Sequence, residues 1–226
     1  MLTKKPFEPL VDISFDLLTY KTVFLVALAS GARVSEIHGL TLEGFTRNRN
    51  WSKVWLSPGL DFMAKNQRSR APSERRCFEI PALADFSGDS KDRFLCPVRA
   101  LRLYLAKSQH VRKNKKLLFL SVNKGYSQDI SKNTIAQYIK KTILLAYQQS
   151  SDKDIALSNC TVHEVRKLSA SVAYRYNVSL SDIMDACCWK SHNVFTNFYL
   201  RDLALQTDSL YKLPAFVCAQ KKLRNK

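Results

Sequence analysis

The sequence lacks long apolar runs, CxxC motifs and internal repeats. No stretch approaches the roughly 18 consecutive apolar residues that a membrane-spanning helix needs, and the N-terminus has no charged segment followed by an apolar one, as a secretory signal has. We therefore expect no membrane insertion. The six cysteines include no CxxC pair, which argues against a zinc site and against a compact disulfide framework. A reducing intracellular compartment fits this cysteine usage best.

Acidic residues are scarce relative to basic ones. The 226 residues include 36 Lys and Arg but only 19 Asp and Glu, so the formal net charge is +17. Because the positive residues recur along the chain, a polyanion is the expected partner, and nucleic acid fits better than a membrane surface. Binding should weaken with salt, since Lys and Arg contacts release counterions from phosphates.

Helical patterns dominate the chain. The first predicted helix ends at Gly31, Pro97 suits the first turn of another, and Thr161 and Glu164 are spaced as a capping box. The predicted helices span residues 14–30, 34–42, 97–110, 131–149, 161–176, 179–189 and 193–206.

Between Lys53 and Ile80 the pattern changes to short β-prone runs. KVWLS, LDFMAK and RRCFEIP are separated by turn residues such as Pro58 and Gly59,. They predict a small antiparallel three-stranded sheet, and LLFLS (117–121) is a candidate for one more strand. The expected fold class is therefore α+β, mostly helical with a small three-stranded sheet.

Three segments combine residue types that suit phosphate chemistry. They are GARVSEIHGLTLE (31–43), TVHEVRKLSAS (161–171) and CCWKSHNVFTNFYLRD (187–202). In order they contain an arginine after an apolar helix, an HxxR pair, a tryptophan and a tyrosine. One HxxR pair alone means little, because polar residues three apart are common on exposed helix faces. Four elements in this order are much harder to obtain by chance.

In these segments the chain resembles the catalytic domain of tyrosine recombinases. ARVSEI, FMAKNQ, CPVRALRLYL and TIAQYIKKTILLAY further resemble the recombinases of DIRS-type and Ngaro-type retroelements. The resemblance implies site-specific cleavage and rejoining of duplex DNA through a 3′-phosphotyrosine, integration of a retroelement, and nuclear action. It also implies a homo-oligomer on DNA. The covalent intermediate retains the energy of the broken bond, so no ATP, metal or other cofactor is expected.

The resemblance assigns the central chemistry to four residues. Tyr199 is the nucleophile, Arg33 and Arg166 bind the phosphate, and His163 assists proton transfer. Attack on a phosphodiester builds negative charge on its nonbridging oxygens, and a guanidinium offers two parallel hydrogen bonds with a permanent charge. The spacing of His163 and Arg166 places both on one helix face. Without this context, Tyr199 reads as a core aromatic.

Three further positions complete the implied site. Lys65 matches the family's β-hairpin lysine and would protonate the 5′ hydroxyl leaving group, with Lys53 as a nearby competitor. Trp189 would donate its indole N–H to the phosphate, although it also suits packing at a helix end, and His192 is an alternative polar contact. Glu36 would orient Arg33.

Four arginines lie in or beside the predicted hairpin turn, and for them contact with the DNA backbone and simple solvation stay open. They are Arg68, Arg70, Arg75 and Arg76.

The expected domain organisation is a catalytic domain over residues 1–206 and a C-terminal tail over 207–226. The tail carries an apolar patch that suits docking on a neighbouring protomer or packing on its own domain. The N-terminal DNA-clamp domain usual in the resembled family is expected to be absent.

Two rival functions remain from the sequence. A type IB topoisomerase uses a similar Arg, Lys, Arg and Tyr set, and it would relax supercoils without exchanging strands; the Trp189 segment argues against it. A domesticated, noncatalytic DNA-binding protein would keep the fold without cutting. The full set of catalytic residue types makes that reading weaker.

Overall fold

The computed structural model describes residues 2–63, 76–83, 90–122, 129–148, 161–175, 177–187 and 189. Its helices and strands confirm an α+β fold with a small antiparallel sheet. The described α-helices are α1 (Phe15–Ser30), α2 (Val34–His38), α3 (Pro97–Ser108), α4 (Lys132–Tyr147), α5 (Val162–Arg175) and α6 (Leu180–Cys187), and a 3-10 helix spans Ser90–Leu95. The described strands are β1 (Leu40–Arg47), β2 (Lys53–Pro58) and β3 (Phe78–Pro81).

Helix α1 lies at the centre of the larger core. The Ser14 hydroxyl accepts the Leu17 N–H at its start, and at its end Gly31 adopts a left-handed conformation with φ +55°. Apolar side chains occur all round this helix, which packs against α3, α4 and α5. A helix that is apolar on every side is stable only when it is enclosed by other elements. The prediction over 14–30 is confirmed.

The sheet has the predicted number of strands in the order β1–β2–β3, but β1 was not predicted. The predicted helix over 34–42 is wrong beyond Gly39, because Leu40 begins β1. Tertiary pairing decides this change: β1 pairs with β2, and on its other side Leu40 accepts the Leu118 N–H at 2.8 Å. The candidate strand LLFLS contributes one isolated bridge, from Thr41 to Leu117.

The predicted strand LDFMAK is wrong over its described part, Leu60–Met63, which is a turn and irregular chain. The segment after β2 folds across the end of α2 instead. The Gly59 N–H donates to the Gly39 carbonyl at 2.9 Å. The Phe62 ring covers Gly39 so closely that a Cβ there would meet it at 2.5 Å. This close approach needs glycine at position 39.

The remaining predicted elements agree with the structure where it describes them. Pro97 opens α3, the Ser131 hydroxyl caps α4, and Ser179 accepts the Asp182 N–H at the start of α6. KVWLS becomes β2, and β3 falls within RRCFEIP. The predicted helix over 193–206 and the tail over 207–226 lie outside the described residues. No helix in the described ranges is both long and apolar enough to cross a membrane.

A second, smaller core joins α5 to α6. Its apolar side chains come from the C-terminal half of α5, from α6 and from the residue that follows shortly after α6. The buried members are Ala170, Ala173, Ile183, Met184, Cys187 and Trp189. This packing holds α6 and Trp189 against α5, next to the end of α1.

Candidate active site

The sharp turn between α1 and α2 shapes the candidate site. Gly31 ends α1 with φ +55°, a conformation that residues with a Cβ adopt only at a cost, and its N–H bonds to the Ala27 carbonyl,. Two residues later Arg33 is the N-cap of α2. The GARVSE motif therefore folds as one helix end followed at once by the next helix start, with Arg33 between them.

Glu36 is the centre of the site. It is only 1% exposed, although it lies in a helix of five residues. Its Oε2 accepts the backbone N–H of Arg33 at 2.6 Å, and its Oε1 accepts a hydrogen bond from Arg76 Nη1 at 2.8 Å. Arg33 Nη1 and Arg166 Nη1 each lie 3.9 Å from this carboxylate, at Oε1 and Oε2 respectively. Three guanidinium groups thus surround one buried carboxylate.

The charges of this cluster do not balance. Burial alone would raise the pKa of the Glu36 carboxyl, but the nearby guanidinium groups and the Arg33 amide outweigh that effect and hold the pKa below its ordinary value. Glu36 is therefore ionised at neutral pH and, among the described residues of the cluster, contributes one negative charge against three positive ones. The excess positive charge favours an anion at this place.

Arg166 joins three parts of the chain. Its Nη1 donates to the Gly31 carbonyl at 2.5 Å, its Nη2 donates to the Cys187 carbonyl, and its guanidinium lies 5.2 Å from the centre of the Trp189 ring. Its Nε has no acceptor among the described residues. Burial lowers the pKa of Arg166 from its ordinary value. Its terminal nitrogens are thus directed at backbone carbonyls, which the sequence pattern does not predict.

The three arginines differ in how much of each side chain reaches solvent. The exposed fraction is 23% for Arg33, 15% for Arg76 and 3% for Arg166. Arg33 is therefore the guanidinium that an incoming anion reaches first. Arg166 is enclosed, and its two terminal nitrogens already donate to the Gly31 and Cys187 carbonyls.

Three other candidate residues lie within the described ranges. His163 is exposed on α5, three residues before Arg166. Trp189 is 8% exposed and belongs to the smaller core, so its ring both packs and faces the Arg166 guanidinium. Lys53, the competitor of Lys65, forms an ion pair with Glu79 at 3.1 Å across β2 and β3.

Several of the predicted residues lie outside the described part of the chain. They are Lys65, Arg68, Arg70, Arg75, His192 and Tyr199. All but the last two belong to the connection from β2 to β3, and the described C-terminal end of that connection carries Arg76.

No protein-family model matches this chain, and no curated protein matches it. The resemblance to tyrosine recombinases therefore stays a prediction from the sequence motifs.

The pairing of Arg76 with Glu36 is the feature that sequence reasoning missed. The two residues are 40 positions apart, and no periodic pattern connects them. The sequence pattern marks Arg76 only as one of four arginines in or beside the predicted turn. Arg76 lies two residues before β3, inside the predicted strand RRCFEIP. The sequence does not give the register of that strand, so it offered no signal for this pair.

Proposed function

We propose that this chain is the catalytic domain of a tyrosine recombinase, which cleaves and rejoins duplex DNA through a covalent link between Tyr199 and a 3′ phosphate. The observation that supports it best is the meeting of Arg33 and Arg166 at Glu36. These arginines come from motifs 133 positions apart, and both lie 3.9 Å from one carboxylate that is 1% exposed. Positive charge held in a fixed place stabilises a phosphoryl transition state without reorganisation.

The proposed cleavage step exchanges one phosphate ester bond for another. The Tyr199 oxygen attacks phosphorus, a bond forms between them, and the bond from phosphorus to the 5′ oxygen breaks. The tyrosine proton leaves with the help of His163, and Lys65 protonates the departing 5′ oxygen. Attack of a 5′ hydroxyl on the phosphotyrosine reverses the step, rejoins a strand and restores Tyr199. No net oxidation or hydrolysis occurs.

The described arginines stabilise the charge on the phosphate in different ways. Arg33, the most exposed guanidinium of the cluster, contacts a nonbridging phosphate oxygen. Arg166 adds positive charge from its buried position and fixes α5 to the end of α1, which sets the position of His163 in the first turn of α5. Trp189 holds the Arg166 guanidinium on the other side through its ring,.

The finer proposals follow from the resemblance and the charge. A net charge of +17 suits duplex DNA as the substrate,. Likeness to DIRS-type and Ngaro-type recombinases extends the proposal to retroelement integration in the nucleus, by a homo-oligomer assembled on DNA. In an assay with purified protein, strand exchange between two duplexes would support this extension. Relaxation of supercoils without strand exchange would support a type IB topoisomerase instead.

Covalent capture tests the proposed chemistry. The protein is incubated with nicked duplexes in EDTA, denatured, and assayed for a protease-sensitive protein–DNA adduct. We expect an adduct with the wild type and with Tyr174→Phe, which alters an exposed tyrosine on α5, and none with Tyr199→Phe. The Tyr199→Phe variant should still bind DNA, since it loses only a hydroxyl. An equal adduct yield from Tyr199→Phe would exclude the assigned nucleophile.

A further inference from the structure

Arg76 is held in place on both sides of its guanidinium. The group lies 4.5 Å from the centre of the Phe78 ring, and its Nη1 donates to Glu36 Oε1 at 2.8 Å. Phe78 begins β3 and is paired in register with Leu56 of β2. The sheet therefore fixes the position from which Arg76 reaches Glu36.

The distances around Glu36 show a division between close and distant partners. Its hydrogen bonds come from Arg76 Nη1 at 2.8 Å and from the backbone of Arg33 at 2.6 Å. The guanidinium groups of Arg33 and Arg166 stay at 3.9 Å, which is too far for a hydrogen bond,. Arg76 thus supplies the close side-chain cation for this carboxylate.

We propose that Arg76 is a positioning residue, which occupies Glu36 and so keeps the guanidinium of Arg33 available for a phosphate. This inference rests on the proposed function, because it concerns the same phosphate. A buried carboxylate needs a paired cation. Without Arg76, the closest replacement is the Arg33 side chain, and a paired Arg33 has fewer donors for the substrate.

A purely structural role of Arg76 would lead to a different result. If Arg76 only stabilises the fold, its loss lowers the folded fraction and leaves the activity of each folded molecule unchanged. Arg99 provides a matched control, since its Nη1 donates to the buried Glu8 at the same 2.8 Å and it has no contact with the cluster among the described residues.

The first experiment compares Arg76→Met, Arg76→Lys and Arg99→Met with the wild type. Single-turnover adduct formation is measured at saturating protein and corrected for the folded fraction from circular dichroism, and DNA affinity is measured separately. We expect Arg76→Met to slow the adduct step by about a hundredfold, as misplacement of a reacting group does, with DNA Kd nearly unchanged. Arg76→Lys should recover part of the rate, because it keeps the charge. Arg99→Met should react like the wild type.

A second experiment separates failure of this inference from failure of the proposed function. Binding of inorganic phosphate to the same proteins and to Arg33→Met is followed by calorimetry, which needs no DNA chemistry. We expect both Arg33→Met and Arg76→Met to bind phosphate more weakly than the wild type, and Arg99→Met to bind it equally. If the wild type forms no adduct, the recombinase proposal fails and this phosphate series still decides the role of Arg76.

Either of two results overturns the inference. One is a wild type that binds no phosphate. The other is an Arg76→Met protein whose phosphate affinity, or whose adduct rate per folded molecule, equals that of the wild type.

Discussion

The Nη1 atom of Arg166 lies 2.5 Å from the carbonyl oxygen of Gly31, so a side chain of α5 is bonded to the last turn of α1. The two residues are 135 positions apart in the sequence. Because Gly31 adopts φ +55°, the direction of its carbonyl depends on a backbone conformation that favours glycine.

Gly31→Ala should therefore destabilise the protein by about 1 kcal/mol or somewhat more. A Cβ at position 31 would lie 3.4 Å from Ser169 Oγ and 3.5 Å from Cys187 Sγ, which are ordinary contacts. The cost arises from the backbone conformation rather than from a clash. Urea denaturation measures this loss of stability. Gly31→Asn should be destabilised less than Gly31→Ala, because asparagine tolerates the left-handed region better than alanine does. Equal losses for Ala and Asn would contradict this explanation.

Glu36→Gln should remove part of the acid sensitivity of folding. The pKa of Glu36 is lower in the folded chain than in the unfolded chain, so its stabilising contribution is present above the unfolded pKa and is lost as the pH falls through the folded pKa,. At pH 7 the variant should lose about 3 kcal/mol, because three guanidinium groups lose their carboxylate.

Urea denaturation of wild type and Glu36→Gln between pH 7 and the acid range checks this prediction, with the difference shrinking as the pH falls. Glu43→Gln, which changes an exposed glutamate of β1, is the matched control and should follow the wild type. A difference that stays constant with pH would show that the lost stability does not come from the charge of Glu36.

Arg166→Lys should impair both the fold and the proposed chemistry. A lysine has one terminal nitrogen, so it cannot donate to the Gly31 and Cys187 carbonyls with the paired geometry of a guanidinium,. We expect a loss of about 1–3 kcal/mol in the free energy of unfolding and a slower adduct step per folded molecule. Arg175→Lys, at an exposed position of the same helix, should be nearly neutral in both assays.

Lys21→Met tests a second buried ion cluster. Lys21 is fully buried on α1, where its Nζ donates to Glu8 Oε1 at 2.6 Å and to the carbonyls of Leu2 and Phe7. Removing the amine should cost about 3 kcal/mol and loosen the N-terminal segment, since it leaves Arg99 as the one cation paired with Glu8 among the described residues,. Hydrogen exchange should report faster exchange in residues 2–14 than in α4. Uniform change throughout the protein would contradict a local role.

Local signals in the sequence predicted the ends of several described helices. Ser14 and Ser131 stand where side chains cap α1 and α4, Gly31 ends α1, and Pro97 opens α3. Each signal acts within a few residues and therefore depends little on the rest of the fold.

Nonlocal pairing explains what was missed. Leu40–Arg47 becomes a strand because β2 and the segment at Leu118 supply its hydrogen-bond partners, and neither partner is visible in its own pattern. Arg33 and Arg166 come from motifs 133 positions apart, and both lie 3.9 Å from the Glu36 carboxylate. The ion pair from Arg76 to Glu36 depends on how β3 is aligned against β2, which the sequence pattern did not specify.

The contacts of Arg166 set an order for assembly during synthesis. Of the buried described residues in the larger core, all except Val165 lie at or before Ala146. Before α5 has emerged from the ribosome, the nascent chain can already form most of that core, with Glu36 beside Arg33 and Arg76. It cannot bring Arg166 to Gly31, and Cys187 must emerge later still. Because chains emerge from the N-terminus, the positive charge of the cluster is completed only after most of the larger core can already have formed.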